Sequence, residues 1–311
     1  MTTIALEERL RHADSAVRRI AVLDLADEAD DNDTPLLLAA LNDACPGVRT
    51  AAAQALSDFE SPATAAALAA RLDDEDAQVR GAAAQSLAEL KLPQSAPALL
   101  PYAGHAQAFV RAAILRALRE LRAADSAQPA LAALHDADAT VRREAVAVLG
   151  YLKHTPAVPV LARLATSDND TEVRRAATGA LGLASDAAVL PALFSALADP
   201  AWQVREEAAT TLGKLQQSDA GAALAAALQD DYWQVRLRAA RSLGRLRHRA
   251  ALPALLPLLT HAIANLRRET ALALGEIGAR SAVPALQQAA LDSDPEVRKA
   301  VRLALQQLEQ A

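Results

Sequence analysis

Aromatic residues are scarce in this chain of 311 residues, since two Trp, three Tyr and three Phe make up only 3% of it. Segments rich in the β-branched and aromatic residues that favour strands are missing, which argues against a β-sheet fold. Glycine is also rare, at 11 residues, and the apolar 52% of the chain is mostly Ala and Leu, the best helix formers. The composition therefore predicts an all-α protein.

The chain also lacks the features of exported and membrane proteins. Its one cysteine, Cys45, cannot form an internal disulfide, so nothing indicates an oxidising compartment. Charges or prolines interrupt every apolar run before it reaches the ~18 residues that a membrane span needs. The N-terminal segment has no charged start followed by an apolar core, so it does not read as a signal peptide. These absences favour a cytoplasmic location and no membrane contact.

What the sequence does contain is a repeat. An apolar residue followed by Arg recurs ten times along the chain, in steps of 31 residues except for one step of 32. Such regularity predicts a single array of repeats that covers residues 1–311. The ten apolar residues, called anchors below, are Val17, Val48, Val79, Val110, Val141, Val173, Val204, Val235, Leu266 and Val297.

Each repeat predicts two helices. A leucine stands eight residues after every anchor and an alanine four residues after most of them, so the anchor opens a helix, B, with one buried stripe. Leucines eleven and seven residues before many anchors predict a preceding helix, A. Proline suits the first turn of a helix, and it stands at the start of several A helices: Pro35, Pro97, Pro191, Pro253 and Pro284.

The turn between A and B has its own pattern. Asp three residues before the anchor is placed to cap helix B, at Asp14, Asp76, Asp138, Asp170 and Asp294. Five residues before the anchor stands Asp in seven repeats, and His12, His105 or His261 in the other three. Arg follows the anchor in all ten repeats. We therefore expect a ladder of charge-assisted hydrogen bonds between arginines and turn aspartates.

The pattern Asp-x4-Val-Arg-x2-Ala-x3-Leu-Gly, preceded by Pro-x-Leu, resembles the HEAT family, and most of all the short bacterial HEAT repeats found in phycobilin lyase subunits. The resemblance covers essentially the whole chain. It implies a right-handed α-solenoid of about ten antiparallel helix pairs, a HEAT-like superhelix, with B helices on the concave side. It also implies a scaffold, adaptor or clamp role, although the defining residues are structural.

Charge is spread unevenly. The chain has 32 basic and 38 acidic residues, a net charge of −6, which disfavours a general nucleic-acid-binding protein. Residues 236–280 nevertheless contain nine Arg and two Glu. Within them, Arg238, Arg241 and Arg245 share one exposed helix face, and Arg268 lies in the next repeat. Alternatively, these charges only solvate a helix face.

The two tryptophans, Trp202 and Trp233, occupy the same place in adjacent repeats, two residues before the anchor, and Tyr232 precedes the second. Trp, Tyr and Arg together are typical of interface hot spots. In the alternative interpretation, the tryptophans cover the A–B turn or stack on each other. The predicted partner-binding residues are Trp202, Tyr232, Trp233, Arg238, Arg241, Arg245 and Arg268.

No catalytic, cofactor or metal site is predicted. The six histidines form no local metal-binding spacing. The chain has no His-Glu dipeptide, although HEAT-type iron hydroxylases use repeated His-Glu pairs. The favoured function is a non-catalytic scaffold or adaptor, with a monomer favoured, that binds a partner protein on its helix-B surface. The alternatives are a bilin-lyase-like chromophore chaperone and a nucleic-acid clamp through the C-terminal arginines.

Overall fold

The computed structural model describes residues 3–28, 33–184 and 187–310, and these residues form α-helices and short 3-10 helices but no strand. The all-α prediction is confirmed. The helices are α1 (Thr3–Leu10), α2 (Ser15–Glu28), α3 (Thr34–Ala40), α4 (Pro46–Ala55), α5 (Pro62–Arg71), α6 (Ala77–Glu89), α7 (Ala96–Leu99), α8 (Ala108–Leu121), α9 (Ala127–Ala133), α10 (Ala139–Tyr151), α11 (Val158–Ser167), α12 (Thr171–Ala180), α13 (Leu190–Ala196), α14 (Trp202–Leu215), α15 (Gly221–Ala227), α16 (Trp233–Arg245), α17 (Leu252–Leu255), α18 (Ala264–Ile277), α19 (Val283–Ala289) and α20 (Pro295–Gln310).

Odd-numbered helices are the A helices and even-numbered helices are the B helices. Their contacts divide the chain into two compact units, Met1–His154 with α1–α10 and Thr155–Ala311 with α11–α20. Within each unit, every B helix packs against the next B helix and against the A helix of its own repeat. Consecutive helix pairs stacked in this way are the architecture of an α-solenoid. That the whole chain forms one domain stays a prediction.

The predicted stripe of anchors and leucines forms the core. Nine anchors are buried, and so are nine of the ten leucines that stand eight residues after an anchor. Val17 and Leu305 are only half-buried. They belong to the first and last helix pairs, which have a neighbouring pair on one side only. Because each helix pair exposes an apolar face on its own, the stacking of pairs supplies the burial.

The five prolines predicted to open A helices lie in the first turn of α3, α7, α13, α17 and α19. Two A helices are shortened, because α7 and α17 are each 4 residues long and continue as 3-10 helices, Leu100–Gly104 and Leu256–Thr260. Both have a second proline, Pro101 or Pro257, within the sequence Pro-Ala-Leu-Leu-Pro. Proline has no N–H group for the α-helical bond to the carbonyl four residues earlier.

Every B helix begins two residues before its anchor. All five predicted caps are confirmed, since the carboxylates of Asp14, Asp76, Asp138, Asp170 and Asp294 accept hydrogen bonds from backbone N–H groups of the first helical turn. In α4, α8, α14, α16 and α18 the residue before the helix makes no side-chain capping bond. Tyr232, which precedes α16, therefore leaves its side chain outside the cap.

Candidate partner-binding surface

The A–B turns are joined by the predicted ladder. In six pairs, Nε and Nη2 of an arginine donate to the two carboxylate oxygens of an aspartate 25 residues later, over 2.6–3.1 Å. Nη1 of the same arginine donates to two carbonyls of its own turn, so each arginine ties two consecutive turns together. The pairs are Arg18–Asp43, Arg49–Asp74, Arg111–Asp136, Arg174–Asp199, Arg205–Asp230 and Arg267–Asp292.

The ladder has an electrostatic consequence. The hydrogen bonds from the facing guanidinium hold the pKa of Asp43, Asp136 and Asp292 below the usual value of an aspartate. Each carboxylate also accepts the N–H of the residue two positions on, which fixes the turn. The turn aspartates are therefore structural groups that stay ionised.

The turn histidines take over only part of the aspartate's role. Nδ1 of each accepts the N–H of the residue two positions on, as the aspartate oxygen does. In the first unit, Nε2 of His105 lies 3.8 Å from the carboxylate of Asp73. In the second unit, Nε2 of His261 faces Nη2 of Arg236 at 3.1 Å, and Nε of Arg236 is buried with no hydrogen-bond partner.

Two of the three predicted aromatic residues lie together. Trp202 is the first residue of α14, and its ring stacks on Tyr232 with the centroids 5.5 Å apart and the planes at 15°. The guanidinium of Arg205 lies 5.6 Å from the centroid of the Tyr232 ring. Tyr232 is still 45% exposed. The stacking partner of Trp202 is thus the residue before Trp233, and no ring contact of Trp233 occurs among the described residues.

The four predicted arginines lie on α16 and α18 beside carboxylates. Nε of Arg238 donates to Glu206 at 3.0 Å. Arg241 and Arg268 share Glu269, at 4.0 Å and 3.0 Å. Arg245 is exposed and lies near Glu276. Burial raises the pKa of Glu276, although the positive charge of Arg245 acts in the opposite direction. The structure therefore shows an arginine-rich surface with interleaved carboxylates.

The acidic partners of these arginines were not predicted. The side chain of Glu269 is only 9% exposed, so its ion pairs are largely shielded from water. The tetrapeptide Leu-Arg-Arg-Glu at 266–269 could have revealed it, because Val-Arg-Arg-Glu recurs at the equivalent place, 141–144. In both places the glutamate three residues after the anchor meets an arginine of the preceding B helix, Arg116 or Arg241.

In residues 3–28, 33–184 and 187–310, no group of three or more His, Cys, Asp or Glu side chains could hold a metal ion. No helix in this described part of the chain is long and apolar enough to cross a membrane.

Stacked helix pairs joined by an arginine–aspartate ladder define an α-solenoid built of repeats. The model of HEAT repeats matches residues 4–88, 65–150, 127–185, 165–236 and 221–306, so the chain belongs to the HEAT-repeat family. The closer likeness to the repeats of phycobilin lyases stays a prediction. No curated protein matches the sequence.

Several solved structures are similar. An importin beta has a TM-score of 0.68 and 16% identity, with 98% of this chain and 50% of that chain covered. An engineered protein has a TM-score of 0.57 and 21% identity over 99% of both chains. Kap95p, in a structure that describes its binding to RanGDP, has a TM-score of 0.56 and 15% identity, covering 100% of this chain and 55% of that one. At these identities the likeness shows the fold.

Proposed function

We propose that this protein is a non-catalytic scaffold or adaptor, and that it binds a partner protein on the helix-B side of its second unit. The surface consists of the seven residues Trp202, Tyr232, Trp233, Arg238, Arg241, Arg245 and Arg268. The similar fold of Kap95p, which binds RanGDP, supports a protein-binding role at the level of the fold alone.

The observation that carries the proposal is the fixed but exposed ring of Tyr232. The Trp202 ring stacks on the Tyr232 ring and the Arg205 guanidinium lies over it, yet 45% of Tyr232 remains exposed. A ring already held in place loses little conformational freedom when a partner covers it. Tyr, Trp and Arg are also the residues that dominate interface hot spots.

The charges around the arginines favour a protein partner over a nucleic acid. Arg238, Arg241 and Arg268 lie beside Glu206 and Glu269, so the surface alternates in sign. A polyphosphate chain gains affinity from a continuous run of uncompensated basic side chains. A protein surface can match an alternating pattern, and such complementarity gives specificity.

Affinity capture from a lysate of the source cells tests the proposal with a matched pair of triple variants. The site variant combines Tyr232→Ala, Arg241→Glu and Arg268→Glu. The control makes the same kinds of change at exposed positions of the first unit: Ile20→Ala, Arg11→Glu and Arg19→Glu. Circular dichroism and thermal melting check that both variants fold.

We expect the native chain and the control to retain the same partner protein and the site variant to lose it. Retention by all three would place the interface elsewhere, and the residues proposed here would be wrong. Copurification of nucleic acid or of a coloured ligand, without a retained protein, would replace the scaffold by one of the two alternative functions. An absorbance spectrum of the captured fraction distinguishes these two outcomes.

A further inference from the structure

A second cluster of arginines lies in the first unit, around Glu144 of α10. The side chain of this glutamate is 5% exposed. Nε and Nη2 of Arg116 donate to its Oε1 at 3.3 and 3.0 Å, and Nη2 of Arg143 donates to the same oxygen at 3.3 Å. Nη1 of Arg119 donates to its Oε2 at 3.4 Å. Three guanidinium groups therefore converge on one buried carboxylate.

The cluster carries excess positive charge at the surface. Glu120 accepts hydrogen bonds from both Arg119 and Lys91. Its single negative charge balances the charge of Lys91, so the arginines still outnumber the remaining carboxylate, Glu144. The side chains of Arg116 and Arg143 are 42% and 40% exposed. Each guanidinium has five N–H donors, and Glu144 takes one or two from each. The buried carboxylate thus orients these groups and leaves donors available on their exposed side.

An exposed aromatic ring borders the cluster. Tyr151, the last residue of α10, is 51% exposed. The guanidinium carbons of Arg119 and Arg122 lie 5.7 Å and 5.4 Å from the centroid of its ring. Cation–π contacts at these distances attract the ring to both arginines. The surface therefore combines a fixed aromatic ring with oriented guanidinium groups, as interface hot spots do.

The arrangement around Glu144 recurs in the second unit. There Glu269, also buried, lies beside Arg241 and Arg268, whose side chains are 47% and 39% exposed. The arginines stand at the same distances from their anchors in both units, since Arg116 and Arg241 each follow the anchor by six residues. Because equivalent repeat positions form this arrangement in both units, the arrangement follows from the repeat and is not an isolated surface contact.

We propose that the Glu144 cluster, formed by Arg116, Arg119, Arg122, Arg143 and Tyr151, binds an acidic segment of a partner protein. This is a surface separate from the one proposed in the second unit. Guanidinium groups bind carboxylates through paired N–H donors, and the excess positive charge of the cluster complements a run of Asp and Glu side chains.

A nucleic acid fits this cluster less well. Residues 1–154 contain 22 acidic and 15 basic side chains, so the positive cluster is local within an acidic unit. Nucleic-acid affinity comes from neutralising many phosphates along an extended path. A short acidic peptide can occupy a local cluster without meeting the acidic remainder of the unit.

Fluorescence anisotropy with a fluorescein-labelled peptide of ten glutamates tests the proposal on the full-length chain. All proteins carry Arg241→Glu and Arg268→Glu, so that the equivalent arrangement in the second unit does not contribute. The cluster variant adds Arg116→Glu and Arg143→Glu. The control adds Arg11→Glu and Arg19→Glu, which change the net charge of the same unit equally.

At low salt we expect the cluster variant to weaken binding about tenfold or more and the control less than about threefold. Tyr151→Ala is expected to weaken binding about two- to fivefold, because it removes the ring that Arg119 and Arg122 contact. Arg116→Gln with Arg143→Gln serves as a second cluster variant, since it places no new carboxylate beside Glu144. Thermal melting verifies that each variant is folded.

Equal weakening by the cluster variant and the control would show that only net charge matters and would overturn the proposal. Absence of peptide binding to the protein that carries only Arg241→Glu and Arg268→Glu would overturn the proposal as well. Tighter binding of a labelled ten-nucleotide oligothymidylate, lost with the same variants, would assign the cluster to nucleic acid instead. Because the second-unit arginines are already reversed, none of these outcomes depends on the function proposed above.

Discussion

Nη2 of Arg236 lies 3.1 Å from Nε2 of His261. Nδ1 of His261 accepts the N–H of Ile263 at 3.0 Å, so the neutral ring has its proton on Nε2. Two donors therefore face each other where six other turn pairs have an arginine and an aspartate. Since Nε of Arg236 is also buried without an acceptor, this junction is the unmatched rung of the ladder in the second unit.

Replacing His261 by aspartate, which stands at this position in seven other turns, should restore the missing hydrogen bonds to Arg236. We expect His261→Asp to stabilise the protein by about 1–3 kcal/mol, because a carboxylate can accept from both Nε and Nη2 of Arg236. It also keeps an acceptor for the N–H of Ile263. A shift of the urea midpoint at unchanged m-value is the measurement.

His105→Asp provides the matched control in the first unit. The new carboxylate would lie close to Asp73, which already faces His105. Repulsion between these carboxylates should make the gain smaller than for His261→Asp. The interpretation of the Arg236–His261 contact as unfavourable fails if the second-unit change gives no gain, or less gain than the first-unit change.

The pH dependence of stability should show the same contact. Burial, and then the charges of Arg236 and Arg267, lower the pKa of His261 below the usual value of a histidine, about 6.5. As the pH falls below about 6.5, the unfolded chain takes up a proton at this residue before the folded chain does, so the folded state loses stability. The loss continues until the pH reaches the lowered pKa of the folded state.

Chemical denaturation at pH 8 and pH 5 measures this effect. We expect the loss of stability between these pH values to be smaller in His261→Gln than in the native protein, because glutamine does not titrate. His135→Gln, at an exposed histidine, is the control for the substitution itself. An equal effect of both substitutions would mean that His261 makes no specific contribution.

The helix pairs, caps and ladder could be predicted from sequence because short-range rules fix them. Asp76 caps α6 through N–H groups two and three residues away, and the anchor Val79 is buried because the helix period puts it on the core face. Arg49 and Asp74 are 25 residues apart, but the repeat period places them in consecutive A–B turns. Each prediction needed only the local residue types and the period of the chain.

The candidate surface was less predictable because it depends on which side chains of different repeats meet. Arg241 reaches Glu269, 28 residues away on the next B helix, and Trp202 stacks on Tyr232 instead of on its counterpart Trp233. Side-chain rotamers and the spacing of neighbouring helices decide such contacts. Helix periodicity placed the arginines on one face, but it did not show the carboxylates beside them.

A normal rung of the ladder should be costly to weaken. Arg49 is buried, and it donates both to the two oxygens of Asp74 and to two carbonyls of its own turn. A lysine keeps the charge but cannot reproduce this fork of donors. We expect Arg49→Lys to destabilise the protein by about 2–4 kcal/mol, seen as a lower urea midpoint.

Arg11→Lys, at an arginine whose side chain is 80% exposed, is the control for this substitution and should change stability by less than about 0.5 kcal/mol. If Arg49→Lys were as mild as Arg11→Lys, the rungs would contribute little to stability. The stacking of apolar faces alone would then hold consecutive repeats together.

The same substitution at two helical glycines should have opposite effects. A Cβ atom on Gly275 of α18 would lie 2.8 Å from the Cα of Ala304 in α20, so the two B helices would have to separate. A Cβ on Gly81 of α6 would meet nothing within 4 Å. We expect Gly275→Ala to destabilise the protein by about 1–3 kcal/mol through overpacking. Gly81→Ala should stabilise it by about 0.5–1 kcal/mol, the gain in helix propensity. Urea denaturation of the two variants measures both signs, and stabilisation by both would mean that close approach of α18 and α20 is not required for packing.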